Sequence, residues 1–153
     1  MSTCKALVVL ALAFLLGCSA ATDVSEPTAP SAIYISLYSA NHPAKSQPML
    51  INVVYEPDEV MHYMSQLQTR EEAELPVEHV TRVYYLQLEF VKDNKSKYAD
   101  VLYVTTSNNK AYFKPFKMES RYGFDEFDDA VQQSLLHDIG TADWYIASAE
   151  LPI

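Results

Sequence analysis

Cysteine is nearly absent from this chain of 153 residues, and the two present, Cys4 and Cys18, both lie in its first eighteen positions. Residues 19–153 therefore hold no thiol, which excludes cysteine catalysis, cysteine–metal sites and an intramolecular disulfide framework there. Glycine is almost as scarce, at three residues. A loop that cradles phosphate needs backbone able to approach its ligand closely, so a nucleotide-binding loop is disfavoured. Positive charge is also short, with 11 Lys and Arg against 20 Asp and Glu and a net charge of −9. A surface this acidic repels phosphate and disfavours a nucleic-acid partner. There is no Gly-x-Ser-x-Gly elbow and no His-Glu-x-x-His pair, which removes two readily recognised hydrolase signatures. No apolar run reaches the roughly 20 residues that a bilayer-spanning helix requires.

What is present begins with a distinct head. Met1–Lys5 carries one positive charge, Ala6–Leu16 is unbroken and apolar, and Gly17 and Cys18 follow. That run is the length of a signal-peptide core and too short to span a bilayer. Leu15-Leu16-Gly17-Cys18 resembles the lipobox of bacterial lipoproteins. The resemblance implies cleavage before Cys18, a diacylglyceryl thioether on its sulfur and acylation of the new amino terminus. It departs from the pattern only in its thin positive head, Lys5 alone. Ser19, rather than aspartate, follows the cysteine, and by the enterobacterial sorting pattern this implies the outer membrane. Each buried methylene contributes about 0.8 kcal/mol and one chain holds only marginally, so several chains on one residue make a lasting anchor. Processing would remove Lys5 and no acid, leaving the mature chain one unit more negative than −9.

Three segments follow from this reading: residues 1–17 as signal peptide, 18–31 as a lipidated flexible tether, and 32–153 as a single domain. The tether is small, polar and proline-bearing, without a hydrophobic period. From Ala32 the pattern alternates, with Ile33, Ile35 and Leu37 on one face of a strand and Tyr34, Ser36 and Tyr38 on the other. A second strand over Met49–Tyr55 is expected with Met49, Ile51, Val53 and Tyr55 in phase. Pro57, Asp58 and Glu59 then open a helix whose inner side is Val60, Tyr63, Met64 and Leu67. Thr69-Arg70-Glu71-Glu72 has the spacing of a capping box and predicts a further helical turn before Pro76. Strands over His79–Val91, Ala99–Thr106 and Lys110–Met118 form an expected three-stranded meander, with Pro115 placing the last at an edge or bulge. Asp125 is the expected cap of a second helix marked by Phe124, Phe127, Val131, Leu135 and Ile139 and closed near Gly140. A final strand is expected over Ala142–Leu151. The fold class is α+β: a mostly antiparallel sheet of about six strands with two main helices in the order ββαβββαβ, covered on one face.

Sites of chemistry are weaker. Glu59 and His62 lie three apart on a helix, so both reach one side, but a di-metal bundle needs a second such pair. Asp125, Glu126, Asp128 and Asp129 lack the alternation around a glycine that a calcium loop needs, and their place at a helix start is favoured by the macrodipole alone. His137 and Asp138 are adjacent on a helix and point about 100° apart. The four histidines, His42, His62, His79 and His137, share no spacing. No catalytic residue, metal ligand or cofactor is expected. The tyrosines read two ways, as filling for a sheet or as a rigid, half-polar contact surface. Between Lys92 and Arg121 the charge is mainly basic, whereas Glu56–Glu78 and Asp125–Glu150 are acidic, so one basic end is expected.

The functional expectation is a non-enzymatic lipoprotein held at the outer membrane by acyl chains on Cys18, its domain facing the periplasm or the cell surface. It would act as an accessory or assembly factor that binds other envelope proteins, with Tyr34, Tyr38, Glu126 and Asp129 as candidate contacts. The alternative is an inhibitor or immunity-type lipoprotein that neutralises a basic toxin or lysozyme-like enzyme through its acidic surface. A third class is a glycan or small-molecule binder with a tyrosine-lined cleft. No nucleic-acid partner is expected.

Overall fold

In a computed structural model, residues 29–41 and 46–153 are described. The apolar head, Cys18, most of the tether and His42 lie outside the described residues. Seven strands form one antiparallel sheet: β1 (Ala32–Tyr38), β2 (Met49–Val54), β3 (Glu72–Ala73), β4 (Val80–Lys92), β5 (Lys95–Thr106), β6 (Ala111–Phe116) and β7 (Trp144–Ile146). Their spatial order is β2-β1-β4-β5-β6-β7-β3. Among the described residues two helices, α1 (Pro57–Gln66) and α2 (Asp129–Ile139), complete the α+β fold, with short 3-10 turns at Val77–His79 and Ser120–Tyr122.

The sheet is one strand richer than expected, and its helices lie on opposite faces. Alternation along each strand divides the side chains into two cores. On the back face Ile33, Ile35, Tyr84, Leu86, Leu88, Tyr103 and Phe113 pack with Val60 and Tyr63 of α1. On the front face Tyr38, Val83, Leu102, Val104, Tyr112 and Trp144 pack with Leu135 and Leu136 of α2. The expectation of cover on one face only is therefore corrected. Strands β4 and β5 are apolar at both parities through Val83–Leu86 and Val101–Val104, as central strands buried on two sides must be.

The meander forms as expected, with a longer central strand and a shorter last one. Asp93 and Asn94 both take positive φ, 50° and 57°, the geometry of a two-residue hairpin turn. The ladder therefore runs to Lys92↔Lys95, and β5 starts four residues before the expected Ala99. Pro115 lies in β6 opposite Val101. Along β6, strand β7 reaches only Tyr112 and Phe113, so the missing N–H at Pro115 faces no strand on that side.

Three further expectations yield to tertiary pairing. The register of β2 shifts opposite Ile35 and Ser36, which pair with Asn52 and Leu50. Ile51 is the unpaired extra residue, and the bulge breaks the expected phase of Met49, Ile51, Val53 and Tyr55. Leu50, Ile51 and Tyr55 are left exposed while Val54 is buried. The capping-box segment forms no helical turn. Glu72 and Ala73 pair with Tyr145 and Trp144, Ile146 N–H donates to Glu71, and the Thr69 hydroxyl donates to the Ile146 carbonyl. The open edge of β7 thus recruits the backbone that a helix would have used. The last strand is also short, Trp144–Ile146 rather than Ala142–Leu151. Beyond it Leu151 turns into the back core, its N–H bonded to the buried Tyr103 hydroxyl at 2.8 Å.

Helix α2 begins at Asp129, and its cap is Asp128, whose carboxylate accepts the Val131 N–H at 2.8 Å. Asp125 is not the cap, because Phe124 and Phe127 precede the helix. They form instead an aromatic group with Tyr38, ring centroids 4.9–6.0 Å apart. Gly140 closes the helix at φ 84°, a conformation that glycine adopts without steric cost.

Candidate interaction surface

Helix α2 and the aromatic group before it cover only part of the front face. Tyr34 of β1, Gln87 and Glu89 of β4, and Tyr98 and Asp100 of β5 share that face by register, Tyr34↔Gln87, Gln87↔Asp100 and Glu89↔Tyr98. Tyr98 is 54 % exposed and Leu50, opposite Ser36 on the same face, is 55 % exposed. This half of the sheet faces solvent.

Its polar groups are ordered by one another. Glu89 accepts the hydroxyls of Tyr34 at 3.0 Å, Ser96 at 2.6 Å and Tyr98 at 3.2 Å. These bonds, from Ser96 and Tyr34 first, hold the Glu89 carboxyl below the usual glutamate range. The same carboxylate raises the Tyr34 hydroxyl above the usual phenol value, chiefly through the hydrogen bond that it accepts. Alongside, Asp100 accepts the Tyr85 hydroxyl at 2.9 Å and Gln87 Nε2 at 3.3 Å. Burial is the largest cause raising Tyr85, followed by its bond to Asp100. The hydroxyls are spent on carboxylates, so what the surface offers outward is fixed aromatic rings with carboxylate between them. Rigid tyrosine of this kind supplies contact area at small entropic cost.

Of the two tyrosines singled out by sequence, Tyr34 belongs to this surface and Tyr38 does not. Tyr38 is 3 % exposed, its hydroxyl donates to the Tyr122 carbonyl at 2.8 Å, and burial pushes its pKa up. It is core filling, which removes it from the contact set in this conformation. Glu126 and Asp129 are exposed, as are Asp125 and Asp128. Asp128 and Asp129 also border a cleft of about 210 Å³ with Tyr38, Arg82, Phe127 and Gln132.

Glu59 and His62 line a second hollow, about 380 Å³, with Asn52, Asp58, Tyr63 and Pro152. Among the described residues no group of three His, Cys, Asp or Glu side chains is placed to hold a metal ion. His137 and Asp138 are not paired: Asp138 meets Arg121 at 3.1 Å. His79 lies 3.7 Å from Glu78 at the surface.

The basic segment does not gather at one end. Lys92, Lys95 and Lys97 flank the β4–β5 turn, whereas Lys110 lies at the opposite end beside the β5–β6 turn. Lys114 donates to the Ile139 and Ala142 carbonyls. Sequence reasoning missed Glu89, Tyr98 and Asp100. The signal was the alternation Tyr85, Gln87, Glu89 against Leu86, Leu88, Phe90, which marks a strand half-open on one face.

No protein-family model matches the chain, and no curated protein matches it. A solved structure of a thioesterase-like protein from Clostridium sporogenes is similar at 19 % identity over 74 % of this chain and 96 % of that one, with a TM-score of 0.37. Among the described residues no helix is long and apolar enough to cross a membrane.

Proposed function

We propose that this chain is a lipoprotein anchored through Cys18 to the outer membrane, where it acts without catalysis as an accessory or assembly factor that binds another envelope protein. The observation that carries the binding role is the open half of the front face, where Tyr34 and Tyr98 both bond Glu89 and Leu50 is exposed further along the same face. Exposed apolar and aromatic residues gathered on one face, with rings held by hydrogen bonds, are the composition of an interaction surface. The lipobox-like Leu15-Leu16-Gly17-Cys18 supports the anchor.

Cys18→Ala is expected to leave an unprocessed chain of higher mass that no longer fractionates with outer membrane; normal maturation and fractionation would refute the anchor. For the binding role, the tagged, lipidated protein is crosslinked in its own envelope and the captured partner purified. Tyr98→Ala and Tyr34→Ala are each expected to weaken its binding by 1–2 kcal/mol, about 5- to 30-fold, with little dependence on salt.

A second reading, inhibition of a basic toxin or lysozyme-like enzyme, is supported by the exposure of Asp125, Glu126, Asp128 and Asp129 together. Under it Glu126→Gln with Asp129→Asn slows association, and less so at high salt, because charges beyond about 10 Å are screened at 0.1 M. Binding that is insensitive to salt and to this pair removes the inhibitor reading.

A further inference from the structure

The β4–β5 hairpin outreaches its neighbours. Strand β1 stops pairing with β4 at Ala32↔Glu89, and β6 stops pairing with β5 at Phe116↔Asp100, but the hairpin ladder continues to Lys92↔Lys95. Three residues of β4, Phe90–Lys92, thus stand beyond the sheet with their partners, about 10 Å at the usual rise per residue. The tip carries Lys92, Lys95 and Lys97 against one acid, Asp93. It also carries Val91, 42 % exposed on the front side. The turn itself is tight and the ladder complete, so the tip is a narrow, hydrogen-bonded finger.

Lysines on a hairpin tip commonly serve solubility. These differ in where the chain enters the fold. The Ser31 N–H donates to the Glu89 carbonyl at 2.6 Å, so the segment leading back to Cys18 departs beside the base of the finger. Twelve residues lie between Cys18 and Ser31, and the thirteen steps of that chain, fully extended, span no more than about 45 Å. An acyl anchor on Cys18 would therefore hold the domain within that reach of the bilayer by a leash attached at this end, on the same side as the lysines. Glu56, Asp58 and Glu59 follow β2 at the same end, but the finger extends past the sheet edge from which they start.

We propose that the Lys92–Lys97 hairpin tip is a membrane-contact element that docks on anionic lipid headgroups and orients the domain, leaving the Tyr34–Tyr98 half-face turned aside for its protein partner. This rests on the anchor reading above. Lysine ammonium groups meet the phosphates, and Val91 enters the headgroup boundary. The attraction is worth about fivefold in affinity per lysine near an anionic surface.

The test uses the lipidated protein, purified from its envelope and reconstituted into vesicles of phosphatidylcholine alone or with phosphatidylglycerol at 7:3. Val91→Trp supplies the probe; the native Trp144 is fully buried and serves as the constant background. Brominated lipid is expected to quench the added indole in the phosphatidylglycerol vesicles only, the quenching to be reversed at high salt and abolished by Lys92→Glu, Lys95→Glu and Lys97→Glu together. Sedimentation of that triple variant with the vesicles is expected to be unchanged, and its circular dichroism reports that it remains folded. A chain that sediments with both vesicles yet shows no lipid-dependent quenching overturns the proposal while sparing the anchor. Should mass spectrometry find Cys18 unacylated, the anchor reading fails by itself. The hairpin is then judged on the unacylated chain: sedimentation with phosphatidylglycerol vesicles that the triple variant loses supports it, and none overturns it. A photoreactive side chain placed by Val91 replacement that crosslinks to protein rather than lipid in the native envelope also overturns it.

Discussion

Glu89 accepts from three hydroxyls contributed by β1 and β5, and its depressed pKa ties the open half-face to pH. In the unfolded chain the carboxyl titrates near its ordinary 4.5, in the folded chain lower. Between those values the unfolded state holds more protons, so stability rises with pH across the window. The contribution is complete above the ordinary value and is lost as pH falls through the folded one. Glu89→Gln is expected to flatten this acid limb, with little change in its slope elsewhere, as followed by urea melts from pH 3 to 7. A second residue with an outsized role is Gln47, 2 % exposed. Its Nε2 donates to the Ser39 carbonyl at 3.0 Å and its Oε1 accepts the Ser39 N–H at 3.2 Å, while its backbone bridges Phe124 in both directions. Gln47→Leu strands two backbone groups of Ser39 and is expected to cost about 1–3 kcal/mol by denaturant titration.

At the scale of elements, α2 separates two aspartates that look alike in sequence. Asp128→Ala is expected to lower stability by about 1 kcal/mol, and Asp125→Ala to leave it within a few tenths, because only Asp128 reaches a free helix N–H. Equal effects in the same urea series would contradict the cap assignment. Periodicity in the sequence placed α1 and its inner side Val60, Tyr63, Met64 and Leu67 correctly, and the three strands of the meander apart from the early start of β5 and the early end of β6, because these depend on residues close along the chain. It misplaced the helix cap, since Phe124 and Phe127 repeat at helical spacing although they belong to an aromatic group outside the helix. It missed β3, whose partner Tyr145 is remote in sequence. The half-face was hidden for the same reason: Tyr34 and Glu89 are 55 positions apart, and no local pattern brings them together.

For the whole molecule, two helices on opposite faces mean two cores separated by the sheet. Val60→Ala behind it and Leu136→Ala in front remove side chains that are 2 % and 0 % exposed, and the second is expected to cost 2–5 kcal/mol. Because the sites belong to different clusters, the double variant is expected to match the sum within about 0.5 kcal/mol, a comparison made by calorimetry. Strand β1 joins these cores and is also where the chain arrives from its amino-terminal side. It is not an edge: β2 flanks it on one side and β4 on the other, antiparallel to both. A pull on Ser31 along the strand axis cannot peel β1 away one bond at a time, as it would a marginal strand. It must slide β1 past two neighbours, loading both ladders together. The fold thus meets tension applied at Ser31 as a shear clamp, with both ladders sharing the load.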